Sequence, residues 1–151
     1  MENEVLVRTA RPSERNALEA LQLRASLNNP GDREALLANP DAIALSSEQI
    51  ARGRVFVVEV ARSTKGFAAI LRRDDGNLEL DALFVEPTEW RRGFGSRLLD
   101  RCAQEARTGG AKAIHVVGNP HAEGFYMARG FEILGKRMTR LGVGILMRKV
   151  L

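Results

Sequence analysis

The chain has one cysteine, Cys102, so no internal disulfide can form, and with only two histidines beside it a structural zinc site is not expected. Aromatic residues make up 5% of the 151, with a single tryptophan and a single tyrosine, and no run of five or more basic residues occurs. These absences count against nucleic acid as the main partner, although the formal charge is +4. A site for a small polyanion accounts for a mild basic excess equally well. No apolar stretch approaches the roughly 20 residues that a membrane-spanning helix needs. The acidic start, MENEVLVRTA, is too short in its apolar part for a secretory leader. The expectation is a cytoplasmic protein without a metal, folded as one domain over residues 1–151, with 44% hydrophobic content supplying one good core.

What is present is a succession of short patterns with changing period. Residues 4–10, EVLVRTA, read as a first strand. From Arg11 the period becomes helical, with Ser13 as a candidate cap and Leu18, Leu21 and Ala25 on one face. NNPGD at 28–32 breaks that helix. Short helical candidates follow at 32–38 and 47–52, separated by Asn39-Pro40. Strands are expected at 54–61, 65–73 and 78–87, the first two joined by a hairpin through the polar RSTKG. A long helix begins at Gly93, with Phe94, Leu98, Cys102 and Ala106 four apart and Leu99 and Ala103 beside them; Thr108-Gly109-Gly110 ends it. A strand at 111–117, a short helix at 119–130 and two closing strands complete the order β-α-α-β-β-β-α-β-α-β-β. That order implies an α/β mixed sheet with helices on both faces.

The segment EPTEWRRGFGSRLLDRC, residues 86–102, carries the first chemical signal. It joins a strand to a helix through a run of backbone N–H groups from Arg91 to Ser96. Gly93 and Gly95 lie in that run, where their small size lets a ligand approach the backbone. A helix N-terminus carries roughly half a positive charge, and Arg91 and Arg92 add two full ones. The combination suits a pyrophosphate. It is neither a Walker A loop nor a GxGxxG fingerprint.

The segment VEPTEWRRGFGSRLL, followed by GNPHAEGFYMARGF at 118–131, resembles the GCN5-related N-acetyltransferase (GNAT) superfamily. That family carries an acetyl-CoA motif of the form Gln/Arg-x-x-Gly-x-Gly/Ala and a later helix of the form N-x-x-A-x-x-F-Y-x-x-x-G-F. Here they fall on Trp90–Gly95 and Asn119–Phe131, and the element order matches over essentially the whole chain. Trp90 departs from the motif's usual first residue. The resemblance implies a mixed, mostly antiparallel sheet of six to seven strands, splayed between the fourth and the fifth. It also implies acetyl-CoA as cosubstrate, held by Arg91, Arg92, Gly93, Phe94, Gly95 and Ser96, with Asn119 nearby. The exposed backbone of Phe84 and Val85 would pair with the pantetheine arm.

The chemistry of acetyl transfer sets what else is needed. An alkyl amine with a lysine-like pKa is only about one part in a thousand neutral at pH 7, at a cost of roughly 4 kcal/mol. Only the neutral amine attacks a thioester, so a base is required. Glu79 and Asp81 share a face of a regular strand. Glu79 occupies the position that serves as base in histone-acetylating members of the family, with Asp81 as the alternative. The resemblance places a general acid at Tyr126, to protonate the departing thiolate. Cys102 and His115 read as structural, while His121 could line the acceptor side. The expected activity is direct transfer of acetyl to a primary amine of a small molecule or peptide, with no membrane or nucleic-acid partner; a homodimer is compatible. The rival readings are a non-catalytic acyl-CoA-binding regulatory module and an acetyltransferase of protein N-termini or lysines. Acceptor recognition would fall to residues 12–53 and the last hairpin.

Overall fold

The period-two segments assemble into one seven-stranded sheet in the order β1-β2-β3-β4-β5-β7-β6. Its strands are β1 (Val5–Thr9), β2 (Val55–Val60), β3 (Ser63–Arg72), β4 (Leu78–Val85), β5 (Ala113–Gly118), β6 (Glu132–Thr139) and β7 (Gly142–Val150). The structure is a computed structural model describing residues 4–29 and 32–151. Pro30 and Gly31, the centre of the expected break after the first helix, lie outside those residues. Every neighbouring pair is antiparallel except β4–β5, which is parallel. The expected mixed sheet is therefore observed, with all seven strands.

Helices cover both faces, as expected from sequence. Arg15–Leu27 (α1) and Ser47–Ala51 (α3) lie on one side, where Leu18, Leu21 and Ile50 join Val55, Val57 and Phe67 in a core. Phe94–Thr108 (α4) covers the other. Its stripe of Phe94, Leu98, Leu99, Cys102, Ala103 and Ala106 is buried against Phe56, Val58, Ala68 and Ile70. Asp32–Ala38 (α2) and Glu123–Met127 (α5) are short. Ser13 does not cap α1, because it lies inside a 3-10 turn, Pro12–Glu14, that precedes the helix. Instead the Glu14 carboxylate accepts from the Arg11 N–H at 2.7 Å. Among the described residues no helix is long and apolar enough to cross a membrane.

One expected loop is shorter than its composition suggests. RSTKG is mostly strand, and the hairpin turns on Ala61 and Arg62, both with positive φ (50° and 64°). Such a two-residue turn matches the twist of the flanking strands.

Two irregularities place the site. The β4–β5 pairing covers only Leu78–Leu80 with Ile114–Val116. Beyond it β4 stays with β3 and β5 with β7, so the sheet opens into a cleft. At the same level, register steps from Ala69↔Ala82 to Ile70↔Leu80, leaving Asp81 as an extra, bulged residue.

Candidate functional site

The free edge of β4 is defined by hydrogen-bond alternation. The Glu86 N–H donates to the Lys65 carbonyl at 2.8 Å, so Glu86 turns its polar groups toward β3. Alternate residues of an antiparallel strand behave alike, so Phe84 does the same. The Phe84 carbonyl indeed lies close enough to Gly66 that a Cβ there would sit 2.8 Å from it. Leu83 and Val85 therefore turn their N–H and C=O groups into the cleft. The sequence-based assignment of backbone pairing to Phe84 shifts to Leu83. The Phe84 side chain instead lines the cavity and packs on Phe67, with ring centroids 5.8 Å apart.

The cleft encloses a cavity of about 620 Å³. Its walls are the Leu80–Val85 stretch of β4, Trp90, Arg91 and Gly93–Ser96, the end of β5 with Asn119, the α5 residues Phe125 and Tyr126, and Arg129 just after that helix. Among the described residues, no acceptor meets any backbone N–H from Arg91 to Ser96. Gly93 caps α4 with φ 81°, a left-handed conformation that suits glycine. Arg91 adopts the same region (φ 69°) and lines the cavity, whereas Arg92 is turned away onto Glu89 at 3.2 Å. Left-handed backbone costs a residue with a Cβ about 1–2 kcal/mol, against about 0.5–1 kcal/mol of lost chain entropy for glycine. Arg91→Gly should therefore raise the free energy of unfolding by up to about 1 kcal/mol, measured in denaturant, although it removes a charge.

Arg129 is a residue that sequence reasoning missed. Its Nε donates to the Ser96 hydroxyl at 2.7 Å and its Nη1 to the Phe125 carbonyl at 2.8 Å. Its guanidinium lies 3.8 Å from the centroid of the Phe125 ring. That ring would in turn sit 3.3 Å from a Cβ on Gly95. The arginine thereby clamps α5 to the first turn of α4 and adds a second cation to the same end of the cavity.

Tyr126 is held by edge-on contacts with Phe125 and Phe131, each at 5.2 Å, and only 7% of its surface is exposed. Burial pushes its pKa well above the ordinary phenol value. Its hydroxyl makes no hydrogen bond with the described residues, yet no fully buried side-chain oxygen among them is left unpaired. The hydroxyl therefore opens to the cavity that its side chain lines.

The two carboxylates proposed from sequence separate. Glu79 sits outside the cavity lining, with its carboxylate 3.9 Å from the Arg73 guanidinium. Asp81 lines the cavity. It keeps contact with the water there, but protein atoms crowd its other sides, and this desolvation raises its pKa above the ordinary carboxylate value. The neighbouring Gln49 amide partly offsets the shift. Gln49 is itself buried and donates to the Ile70 carbonyl at 2.9 Å, beside the bulge.

Asn119 stands at the N-cap position of the 3-10 turn Pro120–Ala122, but its side chain makes no cap bond. The amide reaches instead to the Asp32 carboxylate on α2, at 3.2 Å, beside His121. Residues after α2 are tied to the β6–β7 turn by Arg140 and Asp41 at 2.7 Å. Ala25 near the end of α1 and Asn29 just after it line the cavity together with Asn119 and His121, whereas no α2 side chain does. Cys102 has no exposed surface, and burial pushes its thiol up to about 12, as befits a core residue. Among the described residues no group of three metal-ligating side chains converges.

A family model described as "Acetyltransferase (GNAT) family" matches residues 21–131. An uncharacterized N-acetyltransferase of Mycobacterium tuberculosis is 32% identical over 80 residues, which cover 51% of this chain and 51% of the relative. The chain thus spans about half the length of the curated relatives it matches. A GCN5-related N-acetyltransferase of Rhodopseudomonas palustris superposes with TM-score 0.82 at 19% identity, covering 100% of this chain and 98% of that one. The PaiA N-acetyltransferase of Thermoplasma acidophilum, solved in complex with coenzyme A, gives 0.78 at 15% identity, covering 98% and 99%.

Proposed function

Because the chain belongs to the acetyltransferase (GNAT) family, we propose that it transfers acetyl from acetyl-CoA directly to a primary amine of a small molecule or peptide. The observation that carries this reading is one cavity that joins a loop of N–H groups and a tyrosine hydroxyl, both without partners among the described residues, to a carboxylate and a strand edge that has no strand beside it. When bound, acetyl-CoA supplies the activated acyl group as a thioester.

The residues fit that cosubstrate. The N–H groups from Arg91 to Ser96, with Arg91 and Arg129, form an anion cradle at the α4 N-terminus. Leu83 and Val85 turn backbone donors and acceptors into the cleft, spaced as a strand partner would need, with the Val85 carbonyl accepting from the Trp90 indole. Asp81, rather than Glu79, takes the proton from the attacking amine, because only Asp81 shares the cavity. Its raised pKa narrows the gap to the amine and makes it a better acceptor. As the carbon–sulfur bond breaks, the Tyr126 hydroxyl gives its proton to the leaving sulfur. Cys102 takes no covalent part, since a buried thiol of this kind stays protonated. Ala25, Asn29, Asn119 and His121 line the remaining wall, where an acceptor enters as a small molecule or a free chain end. A cytoplasmic setting, where free thiols such as the CoA product stay reduced, fits the reading.

Calorimetry with coenzyme A tests the cradle. Wild type should bind one equivalent. Gly95→Val puts a branched side chain against the Phe125 ring in the first turn of α4, within the N–H run. Loss of even one charge-assisted contact should weaken binding at least about tenfold. A folded variant with unchanged affinity would remove the loop from the site.

A further inference from the structure

The indole of Trp90 does something that a connector residue would not. Its Nε1–H donates to the Val85 carbonyl at 2.8 Å, although the side chain is 41% exposed and lines the cavity. That carbonyl belongs to the free edge of β4 and faces the cleft. The chain doubles back to make the bond: a 3-10 turn, Pro87–Glu89, and the left-handed Arg91 lie on either side of Trp90. Ion pairs also tie the loop, beside the indole. Glu89 is paired with both Lys65 and Arg92, each at 3.2 Å, and Glu86 is paired with Arg24 at 2.7 Å.

We propose that Trp90 is a latch on the strand edge, holding the Val85 carbonyl and giving it up to the amide N–H of the pantetheine arm. This rests on the reading of the cleft as the acyl-CoA site. An indole has one N–H and no acceptor, so it can only compete for the carbonyl or leave it. Trp90 therefore lowers affinity for ligands that carry the arm and leaves alone those that carry only the nucleotide. It acts as a specificity-determining residue at the position where the family motif ordinarily has Gln or Arg.

Trp90 is the chain's single tryptophan, so its emission reports the latch directly. Titration of the wild type with coenzyme A should give a saturable emission shift to longer wavelength, with the dissociation constant that calorimetry finds. Adenosine 3′,5′-bisphosphate, which lacks the arm, should bind without that shift. Trp90→Phe keeps a ring but removes the N–H. It should bind coenzyme A about 2- to 10-fold more tightly, the net worth of one neutral hydrogen bond, and bind the bisphosphate as the wild type does. Equal or weaker coenzyme A binding by folded Trp90→Phe, or unchanged emission at saturation, would overturn the latch. Failure of the wild type to bind coenzyme A at all would overturn the functional reading with it.

Discussion

Tyr126→Phe should lower the maximal rate by about 10²- to 10⁴-fold, the range that general acid assistance supplies, while affinity for acetyl-CoA stays near wild type. The variant keeps the ring and its packing against Phe125 and Phe131. It loses a hydroxyl that has no partner among the described residues, so stability should change little. The raised pKa keeps the phenol protonated throughout the neutral range. A proton on so weak an acid would be slow to leave for an ordinary thiolate. Donation runs together with cleavage of the carbon–sulfur bond, so the proton moves as charge develops on the sulfur and not to a finished thiolate. A loss confined to the turnover number, with the Michaelis constant unmoved, is the signature of an interaction made only in the transition state. Full activity in the variant would mean that solvent protonates the leaving group.

Asp81→Asn should produce a loss of similar size at neutral pH, and the loss should shrink as the medium becomes more basic. The sign follows from which protonation state works. Wild-type turnover needs the ionised carboxylate, so it declines as pH falls through a pKa that lies above the ordinary carboxylate value. The Asn variant has no such limb; its rate should rise about tenfold per pH unit as free amine accumulates. Glu79→Gln should stay close to wild type across the range, because that carboxylate faces Arg73 outside the cavity. Parallel profiles for wild type and Asp81→Asn, with the loss in Glu79→Gln instead, would return the base to Glu79. Both variants need a pH–rate series with one high-pKa amine.

How far the sequence carried the description depends on the kind of signal. The α4 stripe was legible because residues four apart must share a helix face, and all six named residues are buried. The glycine loop was legible because glycine and adjacent arginines beside a helix start have few other uses. The splay between β4 and β5 came only through the family resemblance, since both strands carry ordinary apolar residues where they part. The bulge at Asp81 has no glycine to announce it, so regular alternation could not separate Asp81 from Glu79. The Ala61-Arg62 turn lacks the Asn-Gly signal of its type, so its composition suggests a longer loop. Gln49, Arg129 and the Asn119–Asp32 contact depend on residues distant in the chain, and one-dimensional periodicity carries no trace of such pairings.

Whether this cavity moves an acetyl group onto an amine is decided by free-thiol release from acetyl-CoA across a panel of primary amines and short peptides. Release should be saturable with at least one acceptor. One acetylated amine should form per thiol, and the rate should fall in Tyr126→Phe while acetyl-CoA still binds. Tight coenzyme A binding with no acceptor raising thiol release above slow hydrolysis, in wild type and Tyr126→Phe alike, would contradict it and leave a protein that binds acyl-CoA without using it.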